Sequence, residues 1–335
     1  MKKVSSIFLQ ALLIILLSIN IVFSQDKPET DFDAPYLITA ADSLFKDRDY
    51  EKAREWYMQA AEKAEEKGMK SELTEANAMI ARTYLIQGSG NEGLKYLKKT
   101  VETGTPDDPK GWSRYLSVRG RFEWNNENLM KATETFKEMF YYCQEHELWD
   151  RAVDAAHMVA ITGTLEEQVE WGLKGIRIAE DHDVHSWLGP LWNNLGATYE
   201  DMKEYNDALH AYKQAREYHY KYGSERNKLI ADWAVGHAYR KVDSTEQAED
   251  VLHPLVSWSE RLNDKEFLGW TYWELGQLEY ERHNYWESVK YLRDALNNLR
   301  EVGIDNWDPD KYREIADLLE KAKKRADQKV ERPHE

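Results

Sequence analysis

The side chains best suited to hold a metal ion lie in one short segment, Asp181-His182-Asp183-Val184-His185. Its imidazoles and carboxylates are ligand types that zinc accepts. The segment nevertheless falls between two amphipathic stretches, where a polar turn is expected, and no further ligands follow at a diagnostic spacing. We interpret it as a surface turn and expect no metal site.

Two other features carry nucleophilic side chains. Gly88-Ser89-Gly90 resembles part of a phosphate-binding or nucleophile turn, but no strand pattern precedes it and no Lys-Ser or Lys-Thr pair follows. Cys143, the only cysteine, lies beside Tyr141 and Tyr142 on a helix face, as a packed thiol would. A catalytic thiol also needs a positioned base. We therefore expect no catalytic residue, no cofactor and no enzymatic activity.

The elements that position these residues follow a pattern that returns seven times, every 37 to 40 residues. In its clearest copy Trp192, Leu195, Gly196 and Tyr199 share one helix face, because i, i+3, i+4 and i+7 lie on one stripe. A polar turn follows, and a second apolar stripe contains Ala208, Tyr212 and Ala215. The copies begin at Leu37, Asn77, Leu116, Val153, Trp192, Asp232 and Tyr272.

A fixed period of this length predicts stacked helix pairs. The spacing resembles that of the tetratricopeptide repeat family over about residues 34–300. The resemblance implies an all-α, right-handed superhelical solenoid of about seven helix-turn-helix repeats with a C-terminal capping helix. The family's period is ~34 residues, so the surplus of about five predicts longer helices, each residue adding about 1.5 Å. Gly196, Gly236 and Gly276 would lie where two helices approach closely.

The third copy fits two frames. A strict frame places Leu116, Arg119, Gly120 and Glu123 on the packing stripe, which includes two charged residues. A shift by one residue gives a more apolar stripe, and the polar turn at residues 125–128 can absorb the difference. The alternative stripe consists of Tyr115, Val118, Arg119 and Phe122.

The two ends carry their own signals. Lys2 and Lys3 precede an apolar stretch, and Val22-Phe23-Ser24 suits signal cleavage, so residues 1–24 are predicted to be a signal peptide; an uncleaved membrane anchor is the alternative. Asp308 followed by Pro309 marks the start of a helix. The predicted organisation is a signal peptide, a flexible mature N-terminus, the solenoid, a capping helix and a flexible tail, at residues 1–24, 25–33, 34–303, 308–325 and 326–335.

The charge limits the choice of partner. The formal net charge is −16, from 61 acidic and 45 basic residues, and removal of Lys2 and Lys3 would make it −18 (−16 − 2). No broad basic surface remains to neutralise phosphates, so we expect no nucleic-acid partner. A membrane would be contacted only through an uncleaved signal.

In the resembled family, residues beside the packing stripe of each first helix line a concave groove. Carried onto this chain, those positions are rich in Arg and Trp, the types that dominate binding hot spots. An alternative is that they pair with acidic neighbours such as Asp154, Glu200 and Asp201. The predicted partner-binding residues are Arg82, Arg121, Trp124, Arg151, Trp233, His237, Arg240, Trp273, Gln277 and Tyr280.

These features predict an exported protein-protein interaction module, periplasmic or extracellular. It would act as an adaptor or assembly factor of the bacterial cell envelope. Its groove would bind a protein or peptide with acidic and aromatic segments. The alternatives are an ectodomain-like sensor and a glycan-binding or hydrolytic α-solenoid; a hydrolase would place two carboxylates ~5–9.5 Å apart in a closed pocket.

Overall fold

A computed structural model describes residues 32–331, and within this range the chain forms helices and no strand. The leader predicted at residues 1–24 and residues 25–31 lie outside the described part. A short 3₁₀ turn at His185–Trp187 precedes the ninth helix. Helices α1 to α16 span Ala34–Lys46, Tyr50–Glu66, Lys70–Ile86, Gly90–Thr103, Pro109–Asn125, Leu129–Glu145, Trp149–Thr162, Leu165–Asp181, Leu188–Asp201, Tyr205–Tyr222, Glu225–Lys241, Thr245–Leu262, Lys265–Glu281, Tyr285–Glu301, Ile304–Trp307 and Pro309–Glu331.

The first fourteen helices form seven consecutive pairs, and α16 covers the end of the last pair. We call the odd-numbered helices α1 to α13 the A helices and their even-numbered partners α2 to α14 the B helices. This arrangement confirms the predicted all-α stack of about seven helix-turn-helix repeats with a C-terminal cap.

Most turns within the repeats have a residue with positive φ just after the A helix. In the fifth repeat the Glu204 N–H donates to the Tyr199 carbonyl at 2.8 Å, and Lys203 between them has a φ of 64°. This closes the end of the A helix on its own carbonyls, as a left-handed residue after a helix does. Six of the seven turns place such a residue at their centre: Arg48, Gly88, Glu127, Lys203, Asp243 and His283.

Glycines mark the closest approach of the two helices in a repeat. A Cβ on Gly196 would lie 2.7 Å from the Tyr212 ring, and one on Gly276 would lie 2.7 Å from Leu292. Gly120 is equivalent, because its Cβ would lie 2.5 Å from Phe136. A larger side chain at any of these positions would push the helices apart.

The third repeat follows the strict frame. Leu116 is fully buried against α6, while Val118 and Phe122 are buried against α3. Helix α5 therefore buries two faces, which is why the shifted frame looked the more apolar one in the sequence although the strict frame packs against α6. The charged residues of the strict frame are accommodated at its edge, where Arg119 pairs with Glu123 at 3.1 Å.

The C-terminal cap closes the apolar core. Pro309 begins α16, and the Asp308 carboxylate accepts the Lys311 N–H at 3.0 Å. The helix continues past the predicted end at residue 325, because Ala326 is fully buried and extends the apolar stripe. The flexible tail expected at residues 326–335 is therefore helical as far as Glu331, and residues 332–335 lie outside the described part. The buried face of α16 contains Ile315, Leu319, Ala322 and Ala326.

Candidate binding surface on the A helices

Successive A helices are joined across one surface by polar side chains about one repeat apart. Several A helices also contact the next A helix directly: α3 contacts α5, and α11 contacts α13. We call this surface the A-helix groove. Its bridges include Arg114 to Glu75, Ser117 to Asp154, Asn194 to His157, and His237 to both Glu200 and Glu274.

The N-terminal half of the groove encloses a cavity of about 310 Å³. Phe45, Met79, Met139 and Trp187 contribute apolar wall, and charged side chains supply the rest. We call it the N-terminal cavity. Its charged lining residues are Asp42, Lys46, Arg82, Arg114, Asp150, Arg151 and Asp154.

Most of the arginines at this cavity are paired within the protein. Arg114 binds Asp42 at 2.6 Å and Glu75 at 2.9 Å, and Arg151 also binds Glu75. Arg121 binds Asp154 at 2.8 Å. Asp154, one of the acidic neighbours considered in the sequence, thus engages Arg121, whereas Arg151 is engaged by Glu75, which was not among them.

These ion pairs keep the carboxylates charged. Burial favours the neutral acid at Glu75, but Arg114 and Arg151 outweigh it and hold the pKa of Glu75 below its usual value. Burial at Asp154 is likewise outweighed by Arg121 and Arg82, so the pKa of Asp154 is lowered. The cavity is therefore bordered by fixed negative and positive charges.

Arg82 differs from the other arginines because it has no ion pair or hydrogen bond within the described residues. Its guanidinium lies over the Phe45 ring, 4.7 Å from the centroid, and its Nε is buried without a partner. Burial, with repulsion from Arg121, lowers the pKa of Arg82. A guanidinium nevertheless stays protonated in proteins, so Arg82 is a cation in the cavity wall, and Asp154 balances its charge only from beyond ion-pair distance.

The C-terminal half of the groove is organised around His237. Its Nε2 lies 2.7 Å from Glu200 and its Nδ1 2.9 Å from Glu274, so one imidazole joins three repeats. Burial disfavours its charge, but Glu274 and Glu200 outweigh burial and raise the pKa of His237 to about 9. Both ring nitrogens then donate at neutral pH. Arg240 binds Glu274 at 2.7 Å and Glu281 at 3.1 Å.

The predicted aromatic contacts at this end differ in accessibility. Trp233 stacks on His237 with ring centroids 5.3 Å apart, and its buried Nε1 has no partner within the described residues. Trp273 is only 5% exposed, because it belongs to the apolar cluster that α16 covers, and Lys311 of that helix lies over its ring. Trp273 is therefore a core residue rather than an open groove contact.

The remaining predicted residues occupy less central places. With its amide oriented to satisfy both neighbours, Gln277 accepts from Trp273 Nε1 at 3.0 Å and from Arg240 Nη2 at 3.2 Å. Tyr280 packs edge-on against Tyr285 at the turn of the seventh repeat. Trp124 is 41% exposed near the end of α5 and does not line the N-terminal cavity.

Sequence reasoning considered Asp154 and Glu200 but missed Glu75 and Glu274, which organise the two halves of the groove. A usable signal existed, because Glu75 and Arg114 are 39 residues apart and His237 is 37 residues from Glu200 and from Glu274. Opposite charges separated by about one period indicate side chains on adjacent A helices. The contact from Arg151 to Glu75 spans 76 residues, or two repeats, and that register is visible only in three dimensions.

The segments weighed for chemistry lie in turns or in the core. His182 stacks on Trp149 with centroids 3.6 Å apart, and His185 begins the 3₁₀ turn. Within residues 32–331 no group of three potential ligands lies close enough to hold a metal ion. Cys143 is buried, and burial raises the pKa of its thiol to about 12, which keeps it protonated. No helix in the described range is long and apolar enough to span a membrane.

The stacked helix pairs with their bridged inner surface define an α-solenoid, a class whose extended surfaces usually bind proteins. Residues 189–218 match the sequence profile of the tetratricopeptide repeat. Together with the fold, this match supports a tetratricopeptide repeat protein. The matched residues correspond to the fifth repeat, the clearest copy in the sequence.

Solved structures of distant sequence share the fold. The apo form of RapI superposes with a TM-score of 0.67 at 14% identity, covering 80% of this chain and 77% of that one. A STAND protein with a tetratricopeptide repeat sensor from Pyrococcus horikoshii gives 0.64 at 17% identity, covering 85% of this chain but 43% of that one. Aspartyl phosphate phosphatase F from Bacillus subtilis gives 0.55 at 13% identity, with 97% and 96% covered. No curated protein matches the chain in sequence.

Proposed function

We propose that this protein is an exported interaction module, an adaptor or assembly factor of the bacterial cell envelope, that binds a protein partner in the A-helix groove. The predicted signal over residues 1–24 supports export. The fold supports protein binding, since solenoids of this type present extended surfaces to their partners. At 13–17% identity the neighbours support the fold alone.

The bridges between repeats favour the A-helix groove as the binding surface. The groove side chains are held by bridges between repeats, so the surface is ordered before any partner arrives. Arg114 joins repeats 1, 2 and 3 through Asp42 and Glu75, and His237 joins repeats 5, 6 and 7. Preorganisation reduces the entropy lost on binding. The open N-terminal cavity and the Trp233 ring supply sites for partner side chains.

The electrostatics of the groove oppose a glycan-hydrolytic function. Such an enzyme needs one carboxyl group whose raised pKa keeps it protonated. Glu75 and Asp154 at the N-terminal cavity, and Glu200 and Glu274 near Trp233, have lowered pKa values, because cationic neighbours outweigh the effect of burial at each. The surroundings of these four carboxylates favour the charged form, so these groups are poor proton donors.

The proposal is tested by affinity capture from cell-envelope extract with immobilised protein. The groove variant combines Arg82→Gln and Trp233→Ala. The matched control makes the same two changes on B helices, as Arg177→Gln and Trp286→Ala; Trp286 is 60% exposed. Loss of a hot spot costs about 2 kcal/mol or more, roughly thirtyfold in affinity.

We expect a partner that the parent and the control retain equally and that the groove variant loses. Equal capture by all three proteins would place binding elsewhere. Selective loss in the control would move the binding surface to the B helices and contradict the proposal.

A further inference from the structure

In the second repeat a polar residue occupies the first position of the packing stripe. Most other repeats carry a large apolar residue there, as at Leu116, Trp192 and Tyr272. Beside the shorter, polar Asn77 lies a cavity of about 500 Å³ between helices α2, α3 and α4. We call it the B-face cavity, because the B helices α2 and α4 form its walls. It shares no lining residue with the N-terminal cavity.

Asn77 is buried without a hydrogen-bonding partner for its side chain. The residue is only 4% exposed, and its amide makes no hydrogen bond within the described residues. A buried amide without a partner costs free energy. Asp232, the other polar residue at this repeat position, is satisfied, since Arg216 binds it at 2.5 Å and the Tyr220 hydroxyl donates to it at 2.7 Å. The Asn77 amide instead lines the B-face cavity, where a ligand can reach it.

The charged residues of the B-face cavity are mostly acidic. Glu62 and Glu65 on α2 face Glu102 on α4, and Lys99 is the one basic residue of the lining, which gives a net charge of −2 (−3 + 1). Lys98 lies outside the lining and approaches Glu102 to 3.9 Å, but both side chains are well exposed, at 81% and 60%. Such a pair neutralises little of the charge. The cavity therefore suits a ligand with two positive charges.

The spread of the carboxylates favours an extended organic cation over a metal ion. They belong to two helices, and within residues 32–331 no three potential ligands lie close enough to hold a metal. Met58, Leu73 and Ile80 offer apolar contact to a methylene chain between the two charges. The Asn77 carbonyl can accept an ammonium N–H. The volume also lies within the usual range for small-molecule sites.

We propose that the B-face cavity is a binding site for an aliphatic diamine. One ammonium group donates to the Asn77 amide oxygen, and Glu62, Glu65 and Glu102 balance the two positive charges. The methylene chain lies on the apolar residues contributed by α2 and α3. The site is separate from the A-helix groove, so the inference goes beyond the proposed protein-binding function and does not depend on it.

The first experiment titrates the purified protein with 1,4-diaminobutane at low ionic strength, because the exposed carboxylates are screened by salt. The readout is the side-chain amide signal of Asn77 in ¹H–¹⁵N NMR, assigned by its absence in Asn77→Leu. The diamine should shift this signal saturably, with a dissociation constant of about 1 mM for so small a ligand. The absence of a saturable shift would overturn the site.

Three further probes test the chemistry of recognition. Butane-1,4-diol has the same chain without charge and should leave the signal unmoved. Butylamine carries one charge and should bind about fivefold more weakly, since one exposed charge pair contributes little; equal binding would refute a site for two charges and indicate a single amine, such as a lysine side chain. Calcium chloride supplies the same charge in compact form. An equal shift with calcium would show only loosely held counterions and would also refute the proposal.

Variants test the position of the site by calorimetric titration with the diamine. Asn77→Leu restores the apolar residue found at Leu116, so it should abolish binding and raise the thermal midpoint by removing the unpaired amide and filling the cavity. Unchanged binding in this variant would place the diamine elsewhere. A lowered midpoint would show that Asn77 is already satisfied in solution, which contradicts the premise.

A charge variant keeps the test independent of packing in the core. Glu62→Gln combined with Glu65→Gln changes two exposed positions and should weaken diamine binding at least about fivefold. The matched control, Glu166→Gln with Glu170→Gln, removes two exposed carboxylates from α8 and should bind as the parent does. Equal weakening in both variants would mean that the net charge of the protein, rather than the B-face cavity, attracts the diamine.

Discussion

At the scale of single residues, the helical glycines are of two kinds. Some allow a side chain of the neighbouring helix to pack against the backbone, and others have room for a Cβ. Gly196 belongs to the first kind, since an added Cβ would lie 2.7 Å from the Tyr212 ring. Gly172 belongs to the second, since its nearest neighbour would be Leu195 at 3.7 Å, an ordinary contact. The two positions form a matched pair.

Gly196→Ala should destabilise the protein by about 1–3 kcal/mol, because the rigid ring cannot yield without moving α10. Gly172→Ala should stabilise it by roughly 0.5–1 kcal/mol through helix propensity. Denaturant unfolding of both variants measures the difference. Equal midpoints for the two would mean that helices α9 and α10 do not approach as closely as described.

His237 makes stability depend on pH. Its folded pKa of about 9 lies well above the ordinary value of 6.5, because Glu274 and Glu200 outweigh the effect of burial. A raised pKa stabilises the fold fully below pH 6.5, and that stability is lost as pH rises through 9. The charges facing it are Glu200, Glu274, Arg240 and Lys241.

The contribution of the protonated imidazole is on the order of 2–3 kcal/mol. The unfolding free energy of the parent should therefore exceed that of His237→Gln by more at pH 6 than at pH 9.5. His253→Gln, at an exposed position on α12, is the control. A gap between parent and His237→Gln that does not change with pH would show that the imidazole is not charged in the fold.

At the scale of helices, the C-terminal cap determines what the last repeat exposes. Ile315 is fully buried on α16, in one cluster with Trp273, Leu292 and Leu299. Terminal repeats of a solenoid need a covered core, and their stability is largely local. Because α16 covers the last repeat, Trp273 is a core residue, although its position in the repeat suggested a groove contact.

Ile315→Ala should cost about 2–5 kcal/mol locally. Because the loss is local, hydrogen exchange should accelerate in α13, α14 and α16 and stay unchanged in α1 to α4. Arg313→Ala, at an exposed position on the same helix, should change neither region. Uniform acceleration along the whole chain would show that the solenoid unfolds as one cooperative unit.

The helices were largely predictable from the sequence. Which side chains of the groove are paired with one another was not. The spacing around Trp192 revealed the period, because an amphipathic stripe follows from burial of one face. The third repeat was ambiguous because α5 buries two faces. Which arginines are free depends on the stacking geometry: Arg151 reaches Glu75 from two repeats away, and only Arg82 at the cavity is left without a partner among the described residues.

At the scale of the whole molecule, the proposed export depends on the signal peptide predicted at residues 1–24. Deleting residues 1–24 should leave the protein in the cytoplasm, and the exported form should begin near Gln25. Cell fractionation and N-terminal sequencing measure both outcomes. An intact Met1 on membrane-bound protein would instead support an uncleaved anchor.

The central claim is that the A-helix groove is the surface that meets the partner. Site-specific photocrosslinking in living cells tests it most directly, with a photoreactive residue at Lys46 or Lys241 in the groove and at Tyr141 or Trp286 on the B helices. If the groove meets the partner, the groove positions should form an adduct with one common protein and the B-helix positions should not. Adducts confined to Tyr141 and Trp286, or formed equally from all four positions, would contradict it.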